Sequence, residues 1–180
     1  MVRRLVERDP TLAYSISATT RPPRPGEADG RDYVFLSPGR FEELVEEDAF
    51  LEHAEVFGHR YGTLSGPVEQ RRREGADVLL EIDVQGARTV RDRAPDAVLI
   101  FLRPPSMEAL ERRLRQRGTE DPEALWARLA AAAEEMEQAT RFDHVVENDE
   151  LERAVDEVAA IIERYRNEPR PGPHERLPST

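Results

Sequence analysis

The 180-residue sequence contains no lysine and no cysteine. All 26 basic residues are arginine, which excludes Schiff-base chemistry and any phosphate-loop lysine within these residues. Without cysteine there is no disulfide and no thiolate nucleophile, a usage that fits a reducing, cytoplasmic setting. A chain of this length buries a core without such staples, as one domain or one domain with a small inserted lobe. Apolar runs are short, Ala97–Leu102 being the longest, so nothing reads as a membrane span or a signal peptide. Positive charge is in deficit, 26 Lys+Arg against 37 Asp+Glu for a net charge of −11. Duplex nucleic acid demands a basic face and is not an expected partner. The four histidines lack metal-ligand spacing, so no protein metal site is expected, and no Ser-His-Asp arrangement suggests itself. The sequence shows no internal repeat.

Against this acidic background, Ser15–Tyr33 concentrates Arg21, Arg24 and Arg31 among threonines, prolines and glycines. Pro22, Pro23 and Pro25 lack backbone N–H groups and fix φ, which predicts a stiff loop. Guanidinium forks on such a loop suit a phosphate or carboxylate, although a solvated polar loop has the same composition.

Along the chain, Val2–Arg8 reads as a helix stopped by Asp9-Pro10, and Leu12–Ser17 as an alternating strand. Tyr33–Leu36 is a short strand, followed by a helix capped by Ser37 with Pro38 first, to about Glu47. Phe50–Phe57 alternates again, and Pro67 opens a helix closed by Gly75. Val78–Asp83 and Ala97–Leu102 are near-continuous apolar runs, expected as parallel strands covered on both faces, with a helix over Gly86–Asp92 between them. Ser106 caps a helix ending at Gly118. Asp121-Pro122 starts a long one to about Thr140. His144–Val146 is a last strand, and Asp149 caps a final helix striped by Leu151, Val155, Val158, Ile162 and Tyr165. The alternation predicts a three-layer α/β fold with a parallel sheet, whose ligands bind beyond the carboxyl ends of its strands.

Four groups could carry chemistry: Ser17, Arg21 and Arg24 with Tyr33; Glu52 with Tyr61, Gly62 and Thr63; Glu81–Gly86 around Asp83; and the arginine helices holding Arg112, Arg113, Arg115, Arg117 and Arg128. Taken singly, each could be structural: strand-end carboxylates, packed tyrosines, a solvated arginine face, His53 as lobe packing. Together they are the parts of a nucleotide-monophosphate site. Guanine offers N1–H and a 2-amino group as adjacent donors, which a carboxylate accepts and adenine does not match.

With these residues the sequence resembles the guanylate kinases from about residue 2 to 166. The marks are S-x-T-T-R-x-x-R-x-G-E at Ser17–Glu27, G-R-D-Y at Gly30–Tyr33, F-L-E-H-A-E-V-F-G at Phe50–Gly58 and Y-G-T at Tyr61–Thr63. After them come acidic-Ile-Asp-x-Gln-Gly at Glu81–Gly86, R-P-P-S at Arg103–Ser106, R-G-T-E at Arg117–Glu120 and V-E-N-D at Val146–Asp149. The resemblance implies a P-loop nucleoside-monophosphate-kinase-like sheet with an inserted GMP-binding lobe and a helical lid. The expected division is a core of residues 1–30 and 64–166 with a lid at about 104–140, a GMP lobe at 31–63, and a disordered tail at 167–180. It further implies that Arg21, Arg24, Tyr33 and Tyr61 hold the GMP phosphate and that Ser17, Glu52, Thr63 and Asp83 read guanine. Arg117 and Arg128 would close over ATP, Asn148 would lie near its adenosine, and Arg21, Arg117 and Arg128 would assist transfer. The implied reaction is ATP + GMP ⇌ ADP + GDP, with Mg2+ entering as Mg-ATP. Glu81 stands where many relatives have Asp, which weighs against a metal-shell role.

The departure from the family pattern that matters is that the first strand and the G-x-x-x-x-G-K-[ST] loop do not occur in the sequence. The expectation is a mis-assigned or truncated start at residue 1 and impaired transfer by the chain as written. Two rivals remain open: a non-catalytic guanylate-kinase-like module binding GMP or a phosphorylated peptide, and a kinase of the same fold acting on a phosphorylated sugar. Against both stands the retention of Ser17, Glu52, Thr63 and Asp83. The sequence gives no indication of oligomeric state.

Overall fold

A computed structural model describes residues 1–117 and 122–168. They form two compact units, residues 2–97 and residues from 98 onward, of mixed α/β architecture with parallel strand pairs.

The first unit opens with α1 (Val2–Arg8), which buries Leu5. Asp9 ends it, its carboxylate turning back to accept from the Thr11 N–H at 2.9 Å and the Thr11 hydroxyl at 2.6 Å. Next come β1 (Leu12–Tyr14), β2 (Ala18–Thr19) and β3 (Val34–Phe35). Helix α2 (Pro38–Glu46) starts as expected, with Pro38 leading and the Ser37 side chain accepting from the Arg40 N–H. Strands β4 (Phe50–Val56) and β5 (His59–Leu64) form a hairpin through Phe57 and Gly58, whose φ values of 50° and 74° fit the turn type that matches strand twist. The unit closes with α3 (Ser65–Arg73), β6 (Asp77–Leu79) and α4 (Val84–Arg93).

Two sheets result. β1 runs parallel to β6, and a four-stranded sheet has the order β3-β2-β5-β4. The expected strand Leu12–Ser17 is therefore two strands, because the chain leaves one sheet at Tyr14 and enters the other at Ala18. Against the second sheet, Phe41 of α2 stacks on Phe50 of β4 with ring centroids 4.5 Å apart, fixing a core with Ala18. His53 packs edge-on against Phe41 and tilted against Phe50, as expected of it.

The expected strand Val78–Asp83 pairs only to Leu79, and Asp83 instead caps α4. Among the described residues no strand covers the other edge of β6, and Val78 and Leu79 are half-buried rather than enclosed on both faces. Helix α3 begins two residues before Pro67, since a proline in the first turn displaces no intrahelical hydrogen bond.

In the second unit, β7 (Ile100–Arg103) runs parallel to β8 (His144–Glu147), the partner strand of its sheet. Leu102 is 43% exposed, so this run too is less enclosed than its apolar sequence implies. The Ser106 side chain accepts from the Ala109 N–H to cap α5 (Met107–Arg117). That helix packs through Leu114 on Leu125 and Leu129 of α6 (Pro122–Glu137). A 3-10 turn at Ala139–Arg141 precedes β8, and α7 (Leu151–Asn167) closes the unit. Asp149 is not the cap of α7. Its carboxylate accepts from the Glu150 N–H and pairs with Arg153, both at 2.6 Å, and the helix starts one residue later than expected. On α7, Ala154, Val155 and Val158 are buried, while Leu151, expected on that face, is 42% exposed. The expected turn at Gly118–Asp121 and the tail from residue 169 lie outside the described residues. Among the described residues no helix is long and apolar enough to cross a membrane.

Candidate active site

The β4–β5 hairpin and the segment leading into α4 enclose a cavity of about 190 Å3 in the first unit. Ser17, Tyr33, Glu52, Tyr61 and Asp83, all candidates from the sequence, line it, together with Tyr14 and Glu81.

One end is acidic. Strand alternation turns Glu52 inward, where it is 4% exposed, and its register partner Thr63 is 1% exposed. The Thr63 hydroxyl donates to Glu52 Oε1 at 2.6 Å. Burial pushes the Glu52 carboxyl above the ordinary carboxylate range, and the nearby Asp83 charge pushes the same way, while the Thr63 bond opposes both. Asp83, half-buried, caps α4 by accepting from the Gly86 N–H at 2.7 Å through Oδ1. Gly86 brings the two carboxylates together, since a Cβ there would lie 2.4 Å from Glu52 Oε2 and 3.3 Å from Asp83 Oδ1. Ser17 is 8% exposed beside them, its main-chain oxygen accepting from Val34 N–H.

Two tyrosines also line the cavity, and the Arg21 guanidinium, outside the lining, lies beside one of them. Tyr33 and Tyr61 meet edge-on at 6.2 Å, and the Arg21 guanidinium carbon lies 5.2 Å from the Tyr33 ring centroid. Arg21 is 9% exposed and tied on two sides. Its Nη1 donates to Pro22 O at 2.7 Å, and its Nη2 donates to Glu27 Oε1 at 2.9 Å and Oε2 at 3.0 Å. Its backbone N–H donates to the fully buried Thr19 hydroxyl. The pairing raises Arg21 and, with the Arg24 N–H, lowers Glu27. Arg24 sits on the exposed loop and does not line the cavity; its N–H donates to Glu27 Oε2 at 2.7 Å. Arg31 faces outward, bonded to Asp32 and Gly26 O. Tyr14 is pushed up to about 12, first by burial, then by Glu81 and Tyr33.

Three candidates belong to the second unit. Arg117 ends α5, and its side chain lies outside the described residues. Arg128 is half-buried on α6. Asn148 follows β8 and donates its backbone N–H to Arg103 O at 2.8 Å.

Tyr14, Thr19 and Glu27 carried no role from the sequence, although Thr19 and Glu27 fall within the Ser17–Glu27 motif, and Gly86 entered only as the end of the Glu81–Gly86 group.

Comparison with known proteins agrees with the sequence motifs. A family model described as guanylate kinase matches residues 1–165. A guanylate kinase of Gloeobacter violaceus is 53% identical over 173 residues, covering 96% of this chain and 84% of that protein. One from Thermus thermophilus is 54% identical over 165 residues, covering 92% and 75%. The crystal structure of a guanylate kinase from Anaplasma phagocytophilum matches with a TM-score of 0.78 at 35% identity, over 91% of this chain and 79% of that one.

Proposed function

The chain belongs to the guanylate kinase family, and on that premise we propose that its first unit is the GMP site of an ATP:GMP phosphotransferase. The observation that carries this reading is the pair of carboxylates converging at Gly86 in a cavity also lined by two tyrosines, one of which has the Arg21 guanidinium 5.2 Å from its ring centroid. Glu52 and Asp83 accept the N1–H and 2-amino donors of guanine, with Thr63 and Ser17 beside them. Arg21, Tyr33 and Tyr61 meet the phosphate, and Arg24 swings in from the loop. The lobe of residues 31–63 carries half of these groups, Tyr33, Glu52, Tyr61 and Thr63, and is joined by β2 in the same sheet.

A GMP phosphate with a second pKa of about 6 is largely dianionic at neutral pH, so the attacking oxygen needs no general base. Catalysis is then positioning of two anionic substrates and stabilisation of the transferring charge. Arg117 and Arg128 supply that charge from the lid, about residues 104–140, whose closure excludes water. Asn148 lies on the ATP side. Magnesium enters with the Mg-ATP substrate, held by its phosphates. The setting is cytoplasmic.

Calorimetry with GMP, AMP and a phosphoserine peptide tests the reading. GMP binding well above AMP is the expected result. Preference for the peptide would make this a binding module, and equal binding of GMP and AMP would remove guanine recognition. GMP-dependent release of ADP from ATP tests transfer itself.

A further inference from the structure

We infer that Gly86 is a specificity-determining position, because its missing Cβ seats the Glu52 carboxylate beside Asp83 in the geometry that reads guanine; this rests on the GMP-site reading above. Gly86 is the third residue of α4, buried and in ordinary helical conformation. Alanine is favoured over glycine at such a position, so the backbone gives no reason for glycine. Glu52 gives one. A Cβ at residue 86 would lie 2.4 Å from Glu52 Oε2 and 3.0 Å from its Cδ. The other carboxylate oxygen is fixed by the Thr63 hydroxyl, and the Gly86 N–H itself holds Asp83 Oδ1. One residue therefore orders both carboxylates, one by its N–H and the other by its bare Cα.

The obstacle to a side chain here is the tip of a glutamate rather than backbone. In Gly86→Ala the helix stays, and the carboxylate swings off Thr63 and away from Asp83. Gly62 makes a contrast: a Cβ there would strike two ring atoms of the core residue Phe50 at 2.7 and 2.9 Å and the main-chain oxygen of Glu52 at 3.0 Å, so its substitution disturbs packing.

The test compares wild type, Gly86→Ala, Glu52→Ala and the double variant by thermal unfolding, and wild type with Gly86→Ala by calorimetry with GMP and AMP. Gly86→Ala should hold its Tm within about 4 °C, lose about tenfold or more in GMP affinity, and leave AMP unchanged. With the carboxylate removed, alanine at 86 should leave Tm equal or higher. Wild-type GMP affinity in Gly86→Ala would overturn the inference. So would an equal loss for GMP and AMP, or the same Tm loss on both backgrounds. A wild type that does not prefer GMP over AMP would remove the GMP-site reading, and this inference with it.

Discussion

The hydroxyl of Thr63 donates to Glu52 Oε1 at 2.6 Å between two residues only 1% and 4% exposed. A buried carboxylate stripped of a donor costs about 1–3 kcal/mol. Thr63→Val keeps the side-chain shape and removes that donor. Its Tm should fall, and GMP should bind about tenfold more weakly because the carboxylate is no longer held. Calorimetry returning wild-type GMP affinity would show that Thr63 does not orient Glu52.

Glu52 also predicts a pH dependence. Its carboxyl is raised above the ordinary carboxylate range, chiefly by burial, with Asp83 pushing the same way. In the proposed GMP site only the ionised form accepts both guanine donors, so GMP affinity should fall as pH drops through the raised Glu52 value. The ratio of wild type to Glu52→Gln isolates this limb, because the GMP phosphate titrates identically in both. The stability sign is opposite. A raised folded-state value stabilises the protonated fold, so this group's contribution is full below its unfolded value and is lost as pH rises through the folded one. A pH-independent ratio would mean that Glu52 does not contact the base.

Glu27 and Arg21 form an ion pair whose side chains are 19% and 9% exposed. Glu27→Gln leaves the arginine without its charged acceptor and should cost about 1–3 kcal/mol at neutral pH. The Glu27 value is lowered, first by Arg21 and then by the Arg24 N–H. Its stabilisation is therefore complete above the unfolded carboxylate value and is lost as pH falls through the depressed folded one. Unfolding midpoints of wild type and Glu27→Gln should converge in that acidic window. A gap that persists below it would assign the effect to packing.

These relationships separate what sequence reveals from what it conceals. Ser37 and Ser106 were legible as caps because a cap is a local matter of one side chain and an N–H three residues on. The family motifs brought Ser17, Tyr33, Glu52, Tyr61 and Asp83 to one cavity, since each sits on a short segment with its own local signal. Strand pairing is not local. Leu12–Ser17 alternates evenly, yet it splits because Leu12–Tyr14 finds β6 while Ala18–Thr19 finds β3 and β5. Asp149 looked like a cap, but Arg153 and the neighbouring N–H of Glu150 hold its carboxylate. A Cβ at Gly86 of α4 would meet the Glu52 side chain on β4, a relationship no window of sequence shows.

Asp83 holds two roles that one pair of substitutions separates. Its Oδ1 caps α4 through the Gly86 N–H at 2.7 Å, and its carboxylate faces the cavity beside Glu52. Asparagine caps a helix about as well as aspartate, whereas alanine at a cap costs about 0.5–2 kcal/mol. Asp83→Asn should therefore unfold near the wild-type temperature, and Asp83→Ala clearly below it. Guanine recognition follows charge and acceptor count, not capping. The asparagine amide replaces one acceptor by a donor facing the donors of guanine, so Asp83→Asn should lose about tenfold or more in GMP affinity, nearly as much as Asp83→Ala. Calorimetry and thermal unfolding on the two variants decide the matter. If Asp83→Asn binds GMP as wild type does, the residue is a helix cap alone, and Glu52 reads the base without it.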